Sequence, residues 1–320
     1  MKAIQHALDP VGPQAAHIAE LYWVTLAVCA VVFLAILVAL GIALWRRPRA
    51  TDATPGDPTP LHIHEPKPRR SVFIATAVSA VGLFGLLVAS VATDRALATL
   101  PLEDPLAIEV VAHQWWWDVH YHDADPSKSF STANEIHIPV GRPVLLTLKS
   151  DDVIHSFWVP NLHGKRDLIP GRTATFPIRA DRAGEFRGQC AEFCGAQHAY
   201  MAFFVVAEPQ DAFERWRAAQ AAPAAEPSAD AAKGRDLFLS GSCMLCHAVR
   251  GTTASAHKAP DLTHVASRAW IAAGRLKNEP SNVRSWIEDP QKFKPGVNMP
   301  AHQVPGDQLD ALAAYVGSLK

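Results

Sequence analysis

The chain has 320 residues, of which 49% are hydrophobic, and its 30 Lys and Arg residues nearly balance 31 Asp and Glu residues. This length allows two or more domains, and the lack of a basic excess gives no reason to expect a nucleic acid as a partner. The chain also contains 5 cysteines and 15 histidines, which are the usual ligands of transition metals.

Two apolar segments near the N-terminus predict a two-helix membrane hairpin over residues 21–94. Residues 21–44 and 71–93 carry no charged side chain, and each is long enough to cross a bilayer. A buried core helix is the alternative for one such segment, but two of them separated by a polar loop favour a membrane. The first segment also fits a signal anchor.

The loop between these segments sets the expected orientation of the hairpin. Residues 46–70 contain six Arg or Lys residues against three acidic ones, and the positive-inside rule places such a loop in the cytoplasm. Both chain ends are therefore expected in the periplasm of a bacterium, with residues 1–20 as an outer N-terminal tail.

Residues 95–217 carry short segments rich in Val, Ile, Phe, Trp and Thr, separated by Pro and Gly. Eight segments fit this pattern, namely 106–111, 115–121, 135–139, 144–149, 153–159, 173–178, 184–188 and 202–207. Evenly spaced short strands with turn signals predict a β-sandwich or barrel. An amphipathic helix over residues 209–219 is expected to follow.

Residues 188–201 concentrate metal-binding side chains within one short loop. They include Cys190, Cys194, His198 and Met201, a soft donor set that suits copper better than magnesium or calcium. Zinc is a rival, although structural zinc sites use Cys and His rather than a thioether. A disulfide is another, since extracytoplasmic cysteines are usually paired. A mononuclear blue-copper site uses one cysteine, so two bridging thiolates indicate two copper ions.

The run from Cys190 to Met201 resembles the copper A loop of subunit II of haem-copper cytochrome c oxidases. Residues 151–160 resemble the earlier strand that supplies a second histidine in that family. The resemblance implies a binuclear copper site bridged by the two cysteines. It implies as further ligands His155, His198, Met201 and the backbone carbonyl of Glu192. A magnesium ion shared with subunit I is implied at the carboxylate of Glu192.

The same resemblance implies a cupredoxin-like Greek-key sandwich for residues 95–217. Residues 112–118, AHQWWWD, resemble the aromatic segment of the family, which makes Trp115 the residue through which electrons reach the copper. The alternative is that these rings simply cover the end of the sandwich. One departure is visible: where the family often has a glutamate before the second helix, this chain has Arg69 and Arg70, so no proton-path role is assigned.

Residues 218–232 are rich in alanine and lack large apolar side chains, which predicts a linker. The module that follows, residues 233–320, opens with Cys243-Met-Leu-Cys246-His247. This CxxCH motif is typical of covalent c-type haem, with both thiols bonded to the haem and the histidine bound to iron. A thioredoxin-like motif is the weaker alternative, because no βαβ pattern surrounds it.

Met299 is the one methionine downstream of this motif and the preferred sixth ligand of the iron. Its surroundings resemble the distal segment of class I cytochromes c, which implies an all-α domain. The resemblance also implies that the carbonyl of Pro260 supports His247. Because haem iron also accepts two histidines, three alternative sixth ligands stay open: His257, His264 and His302.

The order of hairpin, copper domain and cytochrome c module is similar to that of caa3-type oxidases. It implies a subunit that passes electrons from a periplasmic donor, such as a cytochrome c or bc1 complex, through haem c and copper A to subunit I for reduction of O2 to water. Subunit III is a further expected partner, in the bacterial inner membrane. Two other functions stay open: the electron-input subunit of a copper A nitric oxide reductase, and a membrane-anchored copper-binding protein.

Overall fold

The computed structural model describes residues 4–46, 66–302 and 304–320. It divides into two compact units, one formed by His17–Thr99 and the other by the residues up to Ala16 together with Leu100–Lys320. Residues 47–65, which make up most of the predicted cytoplasmic loop, lie outside the described residues.

The first unit consists of two long helices, α1 (Pro13–Arg46) and α2 (Pro66–Ala98). Both predicted apolar segments lie within them, and α1 begins earlier than expected, at a proline, which is favoured in the first turn. Many large apolar side chains along both helices are exposed, and Val31, Phe33, Val81 and Leu83 are each at least 60% exposed. Apolar helices of this length with no protein covering them suit the interior of a bilayer.

The residues that precede α1 belong to the second unit. Val11 is 4% exposed, and its backbone N–H donates to the carbonyl of Asn161 over 2.7 Å. The backbone N–H of Arg187 donates to the carbonyl of Ile4 over 2.8 Å. The predicted outer tail is therefore packed against the domain that carries the strands.

That domain is a sandwich of two five-stranded sheets. Its strands are β1 (Leu106–His113), β2 (Trp116–Tyr121), β3 (Phe130–Ala133), β4 (Glu135–Pro139), β5 (Val144–Ser150), β6 (His155–Trp158), β7 (Lys165–Leu168), β8 (Ala174–Ile178), β9 (Gly184–Cys190) and β10 (Ala202–Glu208). The sheet orders are β3-β2-β1-β5-β8 and β4-β10-β9-β6-β7. Inward-facing side chains of both sheets form one core, with Trp117 and Phe157 fully buried.

All eight predicted strands are present, with ends shifted by a few residues at most. Two more strands, β3 and β7, were not predicted, because their sequences FSTA and KRDL lack an apolar run. The predicted strand 115–121 begins one residue later, at Trp116. Trp115 therefore lies in the turn between β1 and β2 rather than on a strand.

The sandwich is followed by helix α3 (Gln210–Ala221), close to the predicted range. Its Phe213 is buried in the sandwich core, and Trp216 packs against that core. Helix α4 (Ala229–Ser240) begins shortly afterwards. The predicted linker, 218–232, is therefore helical at both ends, and only residues 222–228 of it lack regular structure.

The C-terminal module is built from α4 with α5 (Pro280–Glu288) and α6 (Gly306–Ser318). A Cβ at Gly234 would collide with the backbone of Ala311, so a glycine lets α4 and α6 cross closely. The ring centroids of Phe238 and Tyr315 lie 5.6 Å apart beside this crossing. A short hairpin of β11 (Trp270–Ile271) and β12 (Leu276–Lys277) adds a small sheet to the helices predicted for this module.

The hairpin places the module directly against the sandwich. Trp270 stacks on Phe204 of β10 with ring centroids 5.4 Å apart. The backbone N–H of Ala202 donates to the carbonyl of Ala273 over 3.1 Å. The module therefore contacts the strand that leads out of the candidate metal loop.

Candidate copper and haem sites

The candidate metal loop joins β9 to β10, which pair in antiparallel register. The backbone N–H of Cys190 donates to the carbonyl of Met201 over 3.0 Å. Cys190 and Met201, the first and last predicted ligands within this loop, are therefore held side by side where the loop begins and ends. Cys194 and His198 lie between them.

The structure brings all six predicted copper ligands together. The distances that define the cluster are Cys190 Sγ to Cys194 Sγ 3.8 Å, Cys190 Sγ to His155 Nδ1 3.8 Å, Cys190 Sγ to the Glu192 carbonyl 3.2 Å, Cys194 Sγ to His198 Nδ1 3.6 Å, and Cys194 Sγ to Met201 Sδ 3.8 Å. Each thiol thus lies beside one imidazole and one weaker donor.

This donor set fits two copper ions. The two sulfur atoms lie 3.8 Å apart, farther than the length of about 2.05 Å of a disulfide bond, so both cysteines are free thiols in this structure. A thioether and a carbonyl beside two thiols suit copper rather than structural zinc. The thiols are 1% and 2% exposed at Cys190 and Cys194, so bulk water has little access to the site.

The two thiols differ in acidity because they lie so close together. Interaction with the Cys194 thiol lowers the pKa of Cys190, while the same contact and burial raise the pKa of Cys194. A single proton shared between two sulfurs accounts for both directions. Metal ions that bind here displace that proton, because thiolates rather than thiols are the ligands.

A second candidate site is a cavity of about 350 Å³ that is lined mainly by the C-terminal module and also by Trp115 and Trp116 of the sandwich. All four predicted haem residues line it: Cys243, Cys246, His247 and Met299. The lining is largely apolar, and includes Leu262, Ile287 and Leu312, as a macrocycle with an apolar face requires. These residues fit a covalent haem.

His247 is oriented for binding iron. Its Nδ1 lies 2.7 Å from the carbonyl oxygen of Pro260, the contact that the resemblance implied. Since Nδ1 is the donor there, Nε2 is left free for a metal. Burial lowers the pKa of His247, which favours the neutral imidazole that a metal needs.

The three histidines that are alternatives to Met299 as the sixth ligand differ in whether they line the candidate haem cavity. His302 lines the same cavity, whereas the Nε2 atom of His264 lies 2.9 Å from the carbonyl oxygen of Ala222 and His257 lines a different cavity. Of the three alternative histidines, His302 alone lies among the described residues that line the candidate haem cavity. Of the four predicted candidates for the sixth ligand, Met299 and His302 are the two that line this cavity.

Trp115 lies between the two sites. It forms part of the cavity wall, and its Nε1 donates to the carbonyl of Cys194 over 3.0 Å. It is 9% exposed because the module covers it. One side chain therefore contacts both the candidate haem cavity and the copper loop.

Two family models match this chain. Residues 124–208 match "Cytochrome C oxidase subunit II, periplasmic domain", and residues 231–320 match "Cytochrome c". Cytochrome c oxidase subunit 2 of Alkalihalophilus pseudofirmus is 35% identical over 98% of this chain and 90% of its own length. The chain belongs to the cytochrome c oxidase subunit II family.

Other relatives of the subunit II family match over shorter lengths. Cytochrome c oxidase subunit 2 of Bacillus subtilis is 33% identical over 68% of this chain and 63% of its own length. A solved structure, the periplasmic domain of cytochrome oxidase subunit II of Bradyrhizobium japonicum, is 29% identical, with a TM-score of 0.36 over 38% of this chain and 96% of that one.

Membership of the subunit II family shows in which complex both candidate sites lie. As a fused, caa3-type subunit II, the chain is part of a haem-copper oxidase complex whose catalytic site lies in subunit I. It is a membrane-anchored protein with a periplasmic domain.

Two residues around the copper loop were not assigned a role from the sequence. The Oδ1 atom of Asp152 lies 2.8 Å from His155 Nε2, so it accepts a hydrogen bond while Nδ1 faces Cys190. The side-chain amide of Gln114 donates to the carbonyl of Cys194 over 2.7 Å. The Gln114 contact joins segments 80 positions apart, which the residue pattern does not reveal. Asp152, by contrast, lies three positions before His155, inside the motif that resembles the family.

Asp152 is expected to strengthen copper binding through His155. Partial burial raises its pKa, but hydrogen bonds from His155 and two backbone N–H groups outweigh burial and lower it, so the carboxylate stays charged. Asp152→Asn is expected to weaken copper binding by about 10–100-fold, the usual effect of losing such a partner. Competition with a copper chelator in the full-length protein measures this affinity.

The neighbouring Asp151 supplies a matched control. Its side chain is 73% exposed, and among the described residues its ion-pair partner is His113, over 3.5 Å, so Asp151→Asn is expected to bind copper as tightly as the unmodified chain. Equal copper affinities in the two variants would show that Asp152 does not support the site.

Proposed function

We propose that this chain passes electrons from a c-type haem in residues 233–320, through Trp115, to a binuclear copper pair in residues 95–217 and on to subunit I, where O2 is reduced to water. The observation that carries this proposal is the position of Trp115. This residue lines the candidate haem cavity, and its indole N–H donates to the carbonyl of Cys194.

The ligand sets support electron transfer rather than catalysis in this chain. If copper binds here, this chain would supply two thiolates, two imidazoles, a thioether and a carbonyl to it, a donor set that suits electron transfer rather than substrate binding. A methionine such as Met299 on the iron raises the haem potential, as an electron donor to copper requires. Within the described residues, the one grouping of His, Cys, Asp or Glu with metal-binding geometry is that of His155, Cys190 and Cys194.

Burial of the copper site favours this proposal over copper delivery. Met201 and His155 are fully buried and Cys190 is 1% exposed, whereas a delivery protein must present its metal to another protein. Reduction of nitric oxide would use the same residues of this chain. Oxygen uptake by the purified complex, with no consumption of nitric oxide, is the result that supports an oxidase.

The packing of the N-terminal residues supports a topology with both chain ends in the periplasm. Residues 4–16 contact the sandwich, so they lie on the same side of the membrane. Two crossings, by α1 and α2, return the chain to that side. The loop at residues 46–70 is then cytoplasmic, as its charges predict.

We also propose a magnesium ion at the boundary with subunit I, bound by the carboxylate of Glu192. The carbonyl of this residue lies 3.2 Å from Cys190 Sγ, while its side chain is 44% exposed and therefore open to a partner. The Nζ atom of Lys165 lies 3.8 Å from this carboxylate. Subunit III and a periplasmic cytochrome c or bc1 complex complete the proposed set of partners.

Substitution of Trp115 tests the proposed path. Trp115→Leu is expected to slow electron transfer from haem to copper by at least about tenfold, because it removes the ring between the two sites and the hydrogen bond to Cys194. Trp115→Phe keeps an aromatic ring, so its electron-transfer rate is expected to lie between those of Trp115→Leu and the unmodified chain. Flash reduction of the haem in the assembled complex, followed by absorbance of haem and copper, measures the rate.

Trp216→Phe is the control for these variants. Trp216 stacks on His137 with ring centroids 4.0 Å apart, and it is absent from the described lining of the haem cavity. We expect the unmodified rate for this variant. The proposed path is wrong if Trp115→Leu transfers electrons as fast as Trp216→Phe.

A further inference from the structure

Lys294 has an unusual environment for a lysine. It follows the turn Pro290–Lys292 in the C-terminal module and is 2% exposed, although lysine is almost never fully buried unless its amine is paired. Lys292, two residues earlier, has a side chain that is 66% exposed. The sequence around both residues gives no reason for the difference, so the contacts of Lys294 must explain it.

The amine of Lys294 joins the two domains. Its Nζ donates to the carbonyl of Trp115 over 2.8 Å and to the carbonyl of Ala272 over 3.3 Å. Trp115 belongs to the sandwich and Ala272 to the hairpin of the cytochrome module. Ala272 and Ala273 have φ angles of +55° and +57°, a conformation that non-glycine residues rarely adopt, so this turn is held firmly by its surroundings.

The residues after Lys294 continue the contact with the copper loop. The side-chain amide of Gln197, which lies between Cys194 and His198, donates to the carbonyl of Pro295 over 2.7 Å. Gly296 has a φ of +91°, and a Cβ there would lie 3.9 Å from the Trp115 ring. Val297 packs against the sandwich core. Residues 294–297 are named the docking loop below.

The docking loop is also tied to the candidate haem ligand. The side-chain amide of Gln291 donates to the carbonyls of Val297 and Met299, each over 2.9 Å, and accepts a hydrogen bond from the backbone of Gly296 over 2.8 Å. A shift of the docking loop on the sandwich therefore shifts the backbone of Met299 with it. The position of the haem cavity and the position of the interface are set by the same residues.

We infer that Lys294 is a positioning residue that holds the cytochrome module in register against Trp115 for electron transfer within the chain. This role rests on the proposed function. Lys294 lines the haem cavity together with Trp115, and its contacts are to backbone carbonyls, so it acts by fixing the backbone of Trp115 rather than by carrying electrons. Orientation of two reacting groups is sensitive to shifts of about 1 Å.

Three variants of the full-length chain in the assembled oxidase separate this role from a general loss of stability. Lys294→Met keeps most of the side-chain volume but removes every donor. Lys294→Gln replaces the amine with an amide that has two N–H donors for the two carbonyls. Lys292→Met removes an exposed amine from the same segment, whose contact is an ion pair with Asp289 over 3.9 Å.

Two readouts are compared, and one of them does not depend on bound metal or haem. The first is the rate at which flash-reduced haem is reoxidised by copper. The second is deuterium exchange in the apo full-length chain, in peptides that cover the start of β10, where the N–H of Ala202 donates to Ala273 across the interface. An interface that opens more often exposes this amide more often.

We expect Lys294→Met to slow haem reoxidation by about tenfold or more and to raise exchange in these peptides by a similar factor. Lys294→Gln is expected to restore most of the reoxidation rate and most of the protection from exchange. Lys292→Met is expected to match the unmodified chain in both readouts. Equal rates and equal exchange in Lys294→Met and Lys292→Met overturn the inference, as does a Lys294→Gln variant as impaired as Lys294→Met. Failure of the unmodified chain to reoxidise its haem would instead refute the proposed function, while the exchange comparison still decides the role of Lys294.

Discussion

Cys194→Ser is expected to abolish the binuclear copper centre and to lower oxygen consumption by the assembled oxidase more than about 100-fold. Loss of a residue that only hydrogen-bonds to a metal ligand already costs about 10–100-fold in metal affinity or activity. Cys194 is itself a predicted ligand, and it contacts three of the others. A serine oxygen is a harder donor that suits copper poorly. Copper analysis and electron paramagnetic resonance of the purified complex measure the loss.

Cys29→Ser is the matched control for this variant. Cys29 lies on the exposed surface of α1, in the unit of two helices, and is expected to bind no copper. Copper content and oxygen consumption should equal those of the unmodified chain. Two coppers per chain in Cys194→Ser would mean that the loop does not bind metal through its thiols.

Replacing both haem-attachment cysteines has the second largest expected effect. Cys243→Ala with Cys246→Ala should yield a chain without covalent haem, because these thiols line the cavity beside His247. A haem module held in the same chain supplies electrons at a local concentration in the millimolar range. Turnover with a micromolar soluble donor should therefore fall on the order of 100-fold, while the copper signal is retained.

Met244→Leu controls for disturbance of the motif itself. Met244 lies between the two cysteines and packs against the core of the cytochrome module, and leucine has a similar volume. Haem that stays with the chain after denaturation should be normal in this variant and absent in the double alanine variant. Covalent haem in the double variant would disprove attachment at these residues.

The chemistry of both sites could be predicted from the sequence because it depends on residue types at short spacings. Cys190, Cys194, His198 and Met201 lie in one loop, so their proximity follows from chain connectivity. His155 lies on another strand and needed the family resemblance, since sequence spacing does not show that β6 and β9 are neighbours. The haem motif is likewise local, whereas the distant Met299 was selected because it is the one downstream methionine.

Contacts between the modules could not be predicted. Lys294 stands in the segment Lys292-Phe-Lys-Pro-Gly296, whose two lysines, proline and glycine are typical of an exposed turn, yet it is buried against Trp115. On the sandwich side of this interface, Trp115 was expected on a strand but lies in a turn. Burial of these two residues depends on packing between segments about 180 positions apart, and no local pattern encodes it.

The prediction of secondary structure was incomplete where the side chains of an element do not follow the expected apolar pattern. Strand β7, with sequence KRDL, is polar because three of its four side chains are exposed, so apolar alternation did not reveal it. The alanine-rich stretch 218–232 is still predicted to be a linker, and a linker can contain helix because alanine has the highest helix propensity. Its two ends accordingly extend α3 and begin α4.

The most direct test of the central claim is metal analysis with electron paramagnetic resonance on the unmodified chain in its purified oxidase complex. Two copper ions bound by this chain, a seven-line mixed-valence copper signal and one low-spin haem attached covalently to it are the results that the account predicts. A single copper ion, zinc in the loop, or a Cys190–Cys194 disulfide would contradict it.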